Sequence, residues 1–177
     1  MIDTDDNILV RQTLESNLHA FEILYRKYEK PIFNTVYRIV CDYDDATDVT
    51  QNTFIKAYKN LGKFNERYKF FSWLYKIAVH ESLNFLKYKR NNDELNENIQ
   101  TSERQPDERM LDAERDQQVQ DALIQISEDQ RTVIVLFYFQ DLSYTEISQI
   151  LDISEKTIKS RLFEGRQILR NLLTSVR

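Results

Sequence analysis

Glycine and proline are nearly missing from this chain: its 177 residues contain only Gly62, Gly165, Pro31 and Pro106. A many-stranded sheet needs tight turns, and tight turns draw on the backbone freedom of glycine and the fixed φ of proline. Helical runs need few such breakers, so the expected fold class is all-α. Apolar periodicity is strong from about Leu18 to Leu86, fades, and resumes near Leu111. The stretch between, from Lys89-Arg90-Asn91-Asn92 to Gln105-Pro106-Asp107-Glu108, is acid-rich, with Leu95 and Ile99 as its aliphatic residues. It buries too little to offset its chain entropy and reads as a flexible tether. Two small helical domains are therefore expected, over residues 1–88 and 111–177, joined by a flexible acidic linker over 89–110.

The remaining composition narrows the function classes. The formal net charge is −5, so attraction to nucleic acid must come from a local patch. The single cysteine, Cys41, excludes an intramolecular disulfide and, in a reducing compartment, reads as a small buried apolar residue, with a redox sensor as the lesser alternative. No cysteine and histidine cluster has metal spacing, so neither a metal site nor a cofactor is expected. A Gly-rich phosphate loop and a nucleophile with a base at recognisable spacing are also missing, which argues against an enzyme with a small-molecule substrate. The start, Met1-Ile2-Asp3-Thr4-Asp5-Asp6, lacks the basic flank and apolar run of a signal peptide, and no stretch is long enough to span a bilayer. A cytoplasmic protein without membrane insertion is expected.

Helix signals place the elements. The first block is expected to hold helices from about Leu18 to Val40, kinked near Pro31, from about Asp44 to a glycine cap at Gly62, and from about Phe70 to Lys87. In the second of these, Ala46, Val49, Thr50, Thr53, Phe54, Ala57 and Leu61 share one face. Asp44, Asp48, Gln51 and Ile55 lie opposite, with Asn52 and Lys59 at the margin. Ile55 is an aliphatic residue on a polar stripe. It reads either as an ordinary exposed side chain or as the apolar centre of a polar-rimmed interface. The loop before the third helix mixes bases with rings, a pattern suited to unpaired nucleotides. Most of its aromatics are assigned to the core, leaving Lys63, Asn65, Arg67, Tyr68, Trp73 and Lys76 as candidates.

The last third reads as a helix-turn-helix. Helices are expected over about Leu111 to Ile126 and Glu128 to Phe139, followed by the motif. Ser143 and Glu146 have capping-box spacing, Asp152-Ile153 makes a tight turn, and Ser154 caps the next helix. There Ile158, Leu162, Gly165 and Leu169 share one face, so Lys156, Lys159, Phe163, Arg166 and Arg170 project from the other. Basic residues at 156, 159, 161, 166, 170 and 177 face a single acid, Glu164, as contact with a phosphate backbone requires. The first residues of a recognition helix reach base edges, and here they are Glu155, Lys156, Thr157, Lys159 and Ser160.

Taken in order, these pieces resemble the extracytoplasmic-function sigma factors of the sigma-70 family, which keep only the second and fourth sigma domains. Asp45-Ala46-Thr47-Asp48-Val49-Thr50-Gln51-Asn52-Thr53-Phe54 is similar to that family's D-A-x-D-x-x-Q-x-x-F helix. Phe71-Ser72-Trp73-Leu74-Tyr75-Lys76-Ile77-Ala78 resembles its W-L-x-x-I-A segment. Leu123 to Ile126, Gln130-Arg131-Thr132-Val133-Ile134 and the helix-turn-helix resemble its fourth domain. The resemblance implies a sigma factor that binds core RNA polymerase and directs promoter recognition, melting and initiation. It puts Asp44, Asp48, Gln51, Asn52 and Ile55 on the largest polymerase subunits. Lys63, Asn65, Arg67, Tyr68, Trp73, Lys76 and His80 would meet the minus-ten element, and Glu155, Lys156, Thr157, Lys159, Ser160, Arg161 and Arg166 the minus-thirty-five element. The linker would thread the RNA-exit path, and an anti-sigma factor is the implied restraining partner.

Two positions depart from the family pattern: His80 stands where asparagine is frequent, and Asn84 where aspartate is. His80 reads as a phosphate contact when protonated or as a hydrogen-bonded structural residue. The competing function is a stand-alone helix-turn-helix regulator whose first block is a sensory or dimerisation module.

Overall fold

The computed structural model describes residues 5–93 and 112–174, and among these there is no strand. The first half forms α1 (Asp6–Leu14), α2 (Leu18–Val40), α3 (Tyr43–Asn60) and α4 (Phe70–Asp93). The second half forms α5 (Asp112–Ile124), α6 (Glu128–Ile134), α7 (Tyr144–Leu151) and α8 (Glu155–Thr174).

Local chemistry explains most boundaries. Asp5 and Asp42 accept backbone N–H bonds at the starts of α1 and α3. Ser127 with Gln130, and Ser143 with Glu146, form complete capping boxes on α6 and α7. The Glu146 carboxyl is held below its ordinary value by the backbone and hydroxyl bonds of Ser143. Ser154 Oγ accepts from the Thr157 N–H at 3.1 Å and opens α8. Pro31 lies inside α2, which continues through it to Val40.

Three expectations are corrected, and one helix is added. Gly62 is not a left-handed cap: α3 tightens into a 3-10 turn at Leu61–Lys63, and the positive-φ residues are Ser16, Cys41, Asp141 and Asp152. Leu61 is buried there, which holds the chain against the core instead of reversing it. Helix α1, unread in the sequence, is tied to α2 by Lys27 and Tyr28, both bonded to the Asp6 carboxylate. Helix α4 runs on to Asp93, so residues 89–93, assigned to the tether, are helical; residues 94–110 of that tether lie outside the described residues. Cys41 is not a plain apolar filler. It ends α2 in the left-handed conformation, half-buried and hydrogen-bonded.

The helices of each half pack around aliphatic residues. Leu24, Ile32, Val36, Ile39, Val49, Leu74 and Ala78 fill the first half, and Leu123, Val133, Leu136, Ile147, Ile158 and Leu162 the second. These belong to one continuous apolar cluster. The halves are packed together rather than held only by a tether. A wide π-helical turn at Val135–Phe139 extends α6 toward the first half, where the Phe139 ring lies 4.0 Å from the Arg38 guanidinium. Helix α8 crosses α6 at Gly165, where an added Cβ would come within 2.6 Å of Ile134 Cδ1 and 3.3 Å of Gln130 Cβ. The valine variant Gly165→Val is expected to lower unfolding free energy by about 1–3 kcal/mol by overpacking this crossing, as read from urea denaturation.

Candidate nucleic-acid and polymerase surfaces

Helix α3 presents the face its periodicity predicts. Ala46, Val49, Thr50, Thr53, Phe54 and Ala57 are buried, whereas Asp44, Asp48, Gln51, Asn52 and Ile55 are all exposed. Ile55 is 49 % exposed in the middle of this polar stripe. The same helix lines a shallow cleft through Thr47, Thr50 and Gln51, opposite Tyr25, Glu29 and Phe33 of α2.

The loop between α3 and α4 and the first turns of α4 form the second surface. Asn65 Oδ1 accepts from the Arg67 N–H at 3.1 Å, a local turn that leaves Lys63, Asn65, Arg67 and Tyr68 exposed. Trp73 is half-buried, its ring 5.5 Å from that of Phe64 and 5.6 Å from that of Phe70. Lys63, Phe64, Asn65, Tyr68, Ser72, Trp73 and Lys76 line a cleft of about 430 Å³. The far wall of that cleft is Gln149, Ile150 and Asp152, from the turn of the helix-turn-helix.

This meeting of the two halves is what the sequence reading missed. Lys76 Nζ donates to the Gln149 carbonyl at 3.1 Å and reaches the two Asp152 carboxylate oxygens at 3.0 and 2.9 Å. The lysine holds the Asp152 carboxyl below its ordinary value. His80 Nε2 donates to the Ile150 carbonyl at 3.1 Å, so in this arrangement His80 has a structural partner. Tyr75, fully buried, donates its hydroxyl proton to Gln140 Oε1 at 2.7 Å. Gln120 Nε2 donates to the Tyr37 carbonyl at 3.1 Å.

Arg131 sits beneath this seam, 7 % exposed, with five hydrogen bonds to match its five N–H groups. Nε donates to Leu123 O at 2.8 Å, Nη2 to Ile124 O and Ile126 O at 3.2 Å each, and Nη1 to Ile39 O at 2.8 Å and Cys41 Sγ at 3.2 Å. Besides the Cys41 thiol, the acceptors are carbonyls in the last turns of α5 and α2 and of Ile126 just beyond α5, where helix dipoles concentrate negative potential. A buried cation is thereby held by carbonyls from both halves. The Gln130-Arg131 pair was visible in the sequence, but its partners lie on α2, far away in the chain.

The recognition helix carries its basic residues outward. Lys156, Lys159, Phe163, Arg166 and Arg170 are exposed, while Ile158, Leu162 and Gly165 are buried. Several candidate base-readers already have partners on the protein. Glu155 accepts from Thr145 Oγ1 at 2.7 Å, Ser160 donates to Glu164 at 2.9 Å, and the Thr157 and Ser154 hydroxyls lie 2.9 Å apart. Lys159 lies over the Tyr144 ring at 5.2 Å. Arg161 differs from the outward set: its guanidinium turns back to Asp129 at 2.5 Å and ties α8 to α6. The buried Ile158 three residues before it and Gly165 four after put it at the edge of the packed face.

Comparison with known proteins agrees with this geometry. Residues 24–92 match sigma-70 region 2 and residues 116–169 match sigma-70 region 4. The chain is 32% identical to the RNA polymerase sigma-H factor of Pseudomonas aeruginosa, over 95% of this chain and 93% of that one. It is 31% identical to the ECF RNA polymerase sigma-E factor of Haemophilus influenzae, over 94% of each. The chain belongs to the extracytoplasmic-function sigma factors of the sigma-70 family. This sigma factor shares its fold with RpoE from Bartonella quintana, solved with the anti-sigma factor NepR (TM-score 0.78, 22% identity, 89% of this chain and 98% of that one). It also shares it with CnrH, solved with the cytosolic domain of CnrY (TM-score 0.72, 24% identity, 96% and 97%). As a sigma factor it binds core RNA polymerase and directs promoter recognition and the start of transcription. That role sets aside the stand-alone regulator. Among the described residues no helix is long and apolar enough to cross a membrane.

Removing the guanidinium in Arg131→Met leaves the α5 and α2 carbonyls without their donors and is expected to cost at least about 2 kcal/mol. Arg131→Lys is expected to recover little of this, because three ammonium donors cannot reproduce the planar fork. Chemical denaturation of the three proteins measures both.

Proposed function

We propose that this sigma factor contacts polymerase and promoter through three separate surfaces. The polar face of α3, with Asp44, Asp48, Gln51, Asn52 and Ile55, docks on the largest polymerase subunits. Its support is the co-exposure of these side chains around a half-exposed aliphatic residue, the form of a small apolar centre with a polar rim. This observation carries the reading, because the side of α3 that packs into the core is the opposite one.

The loop from Lys63 to Tyr68, with Trp73, Lys76 and His80, receives the melted minus-ten strand. Exposed bases and rings around an open cleft are what an unstacked base and its phosphates require. Helix α8 enters the major groove at the minus-thirty-five element. Glu155, Lys156, Thr157, Lys159 and Ser160 face the bases and Arg166 a phosphate, while Arg161 acts through its bond to Asp129 by fixing the helix. The division of labour is residues 1–88 for polymerase and the minus-ten element, 89–110 for the linker in the RNA-exit path, and 111–177 for the minus-thirty-five element. The protein has no enzymatic activity of its own, works in the cytoplasm beside polymerase, and is restrained by an anti-sigma factor.

Run-off transcription of genomic DNA with purified core polymerase tests this reading. Wild-type protein is expected to produce transcripts with shared upstream elements. Asp48→Arg combined with Gln51→Ala is expected to abolish association with core while leaving stability within about 0.5 kcal/mol, as for surface substitutions. Retained association of the double variant refutes the α3 assignment.

A further inference from the structure

The loop assigned to the melted minus-ten strand carries an acid at its tip. Glu66 stands between Asn65 and Arg67, in a loop whose other charged residues, Lys63, Arg67 and Lys69, are all basic. A bare carboxylate there repels the phosphates that those bases attract. The Glu66 carboxylate is turned back to α1 instead, where Arg11 meets it with a fork. Arg11 Nε donates to its two oxygens at 2.9 and 3.1 Å, and Nη2 donates to Oε2 as well. These bonds hold the Glu66 carboxyl below its ordinary value. A guanidinium fork fixes direction as well as charge.

Helix α1 is a firm support for such a tie. Its Leu9, Val10 and Thr13 are buried, and its Asp6 accepts from Lys27 and Tyr28 of α2. A chain end tied down in this way does not fray. The loop is pinned at its two ends, where Phe64 meets Phe70 edge-on with ring centroids 5.5 Å apart. Within it the Tyr68 N–H donates to the Asn65 carbonyl at 3.0 Å. Arg11 ties the tip of this loop to an element far away in the chain.

We propose that Arg11 is a positioning residue for minus-ten recognition, its fork on Glu66 making α1 a strut that holds the loop in the shape that captures an unstacked base. A reading loop is precise only when a surrounding shell fixes it. The pair is largely exposed, so its contribution to global stability is small and its effect falls on where Asn65, Arg67 and Tyr68 stand. The proposal rests on the reading of this loop as the minus-ten reader, and a Tyr68 variant separates the two.

The test uses holoenzyme and a promoter fragment, recovered from the run-off experiment, whose minus-ten strand is left unpaired. Half-saturating concentrations are compared for this fragment and for one with abasic sites across the minus-ten element. Both fragments carry the same phosphates, so their ratio reports base capture and cancels changes in overall charge. Wild type is expected to prefer the base-bearing strand at least about fivefold. Tyr68→Ala is expected to lower that preference. Arg11→Ala and Glu66→Ala are each expected to lower it by up to about fivefold, with core association unchanged. Arg11→Ala combined with Glu66→Ala should remain low, whereas the exchange of Arg11→Glu with Glu66→Arg should restore it, the non-additivity of a direct pair. Wild-type preference in the double alanine variant overturns positioning and leaves charge neutralisation alone. An exchange variant as impaired as the single variants overturns the direct pair. A lowered preference in Tyr68→Ala with an unchanged one in Arg11→Ala overturns the strut while the loop reading stands. An unchanged preference in Tyr68→Ala overturns the loop reading and the strut with it.

Discussion

The packing of the two halves depends on one buried guanidinium. Among the described residues Arg131 has no carboxylate partner; it is held by two carbonyls from the last turn of α5, that of Ile126 just beyond it, and one from the last turn of α2. Burying a cation is costly unless every donor is satisfied, and here each N–H has an acceptor. The arrangement is therefore strongly directional. It sets the end of α2 against α5 and α6, and from there the π-helical turn brings Phe139 to Arg38 and Gln140 to Tyr75. The helix-turn-helix then comes to rest on α4.

That geometry has a functional cost. The surfaces proposed for the minus-ten and minus-thirty-five elements would act on promoter segments that lie apart, one melted and one duplex, yet here they face each other. Lys76 and Asp152 meet where DNA is proposed to enter. Polar contacts cross the seam beside an apolar cluster that runs through both halves. Polar contacts between halves exchange readily for water or phosphate, whereas parting the halves would also expose apolar surface of the cluster they share.

Much of the fold was legible in the sequence because its causes are local. The scarcity of glycine and proline, the 3.6-residue spacing on α3, and the serine and glutamate three apart at Ser143 and Glu146 all act within one helix. The exposed stripe of α3 and the outward bases of α8 came from the same periodicity. The seam was not legible. Lys76, Gln140, Gln149 and Asp152 look like ordinary surface residues until the fold joins elements far apart in the chain. Arg131 likewise looked like one basic residue in a helix, and its role depends on where α2 ends. Arg161 was assigned to the minus-thirty-five element through the family resemblance, and its tie to Asp129 depends on where α8 meets α6. Gly62 misled for a different reason: a helix can stop by tightening as well as by a left-handed turn.

The account's central claim is that one chain holds two promoter-reading surfaces that face each other when free and separate on polymerase. The most direct measurement is single-molecule energy transfer between dyes on the exposed positions Glu15 and Gln125, in a Cys41→Ala background, before and after addition of core RNA polymerase. The account predicts one short-distance population in the free protein, replaced by a long-distance population in the holoenzyme. An unchanged distance on binding polymerase, or a free protein already extended, would contradict it.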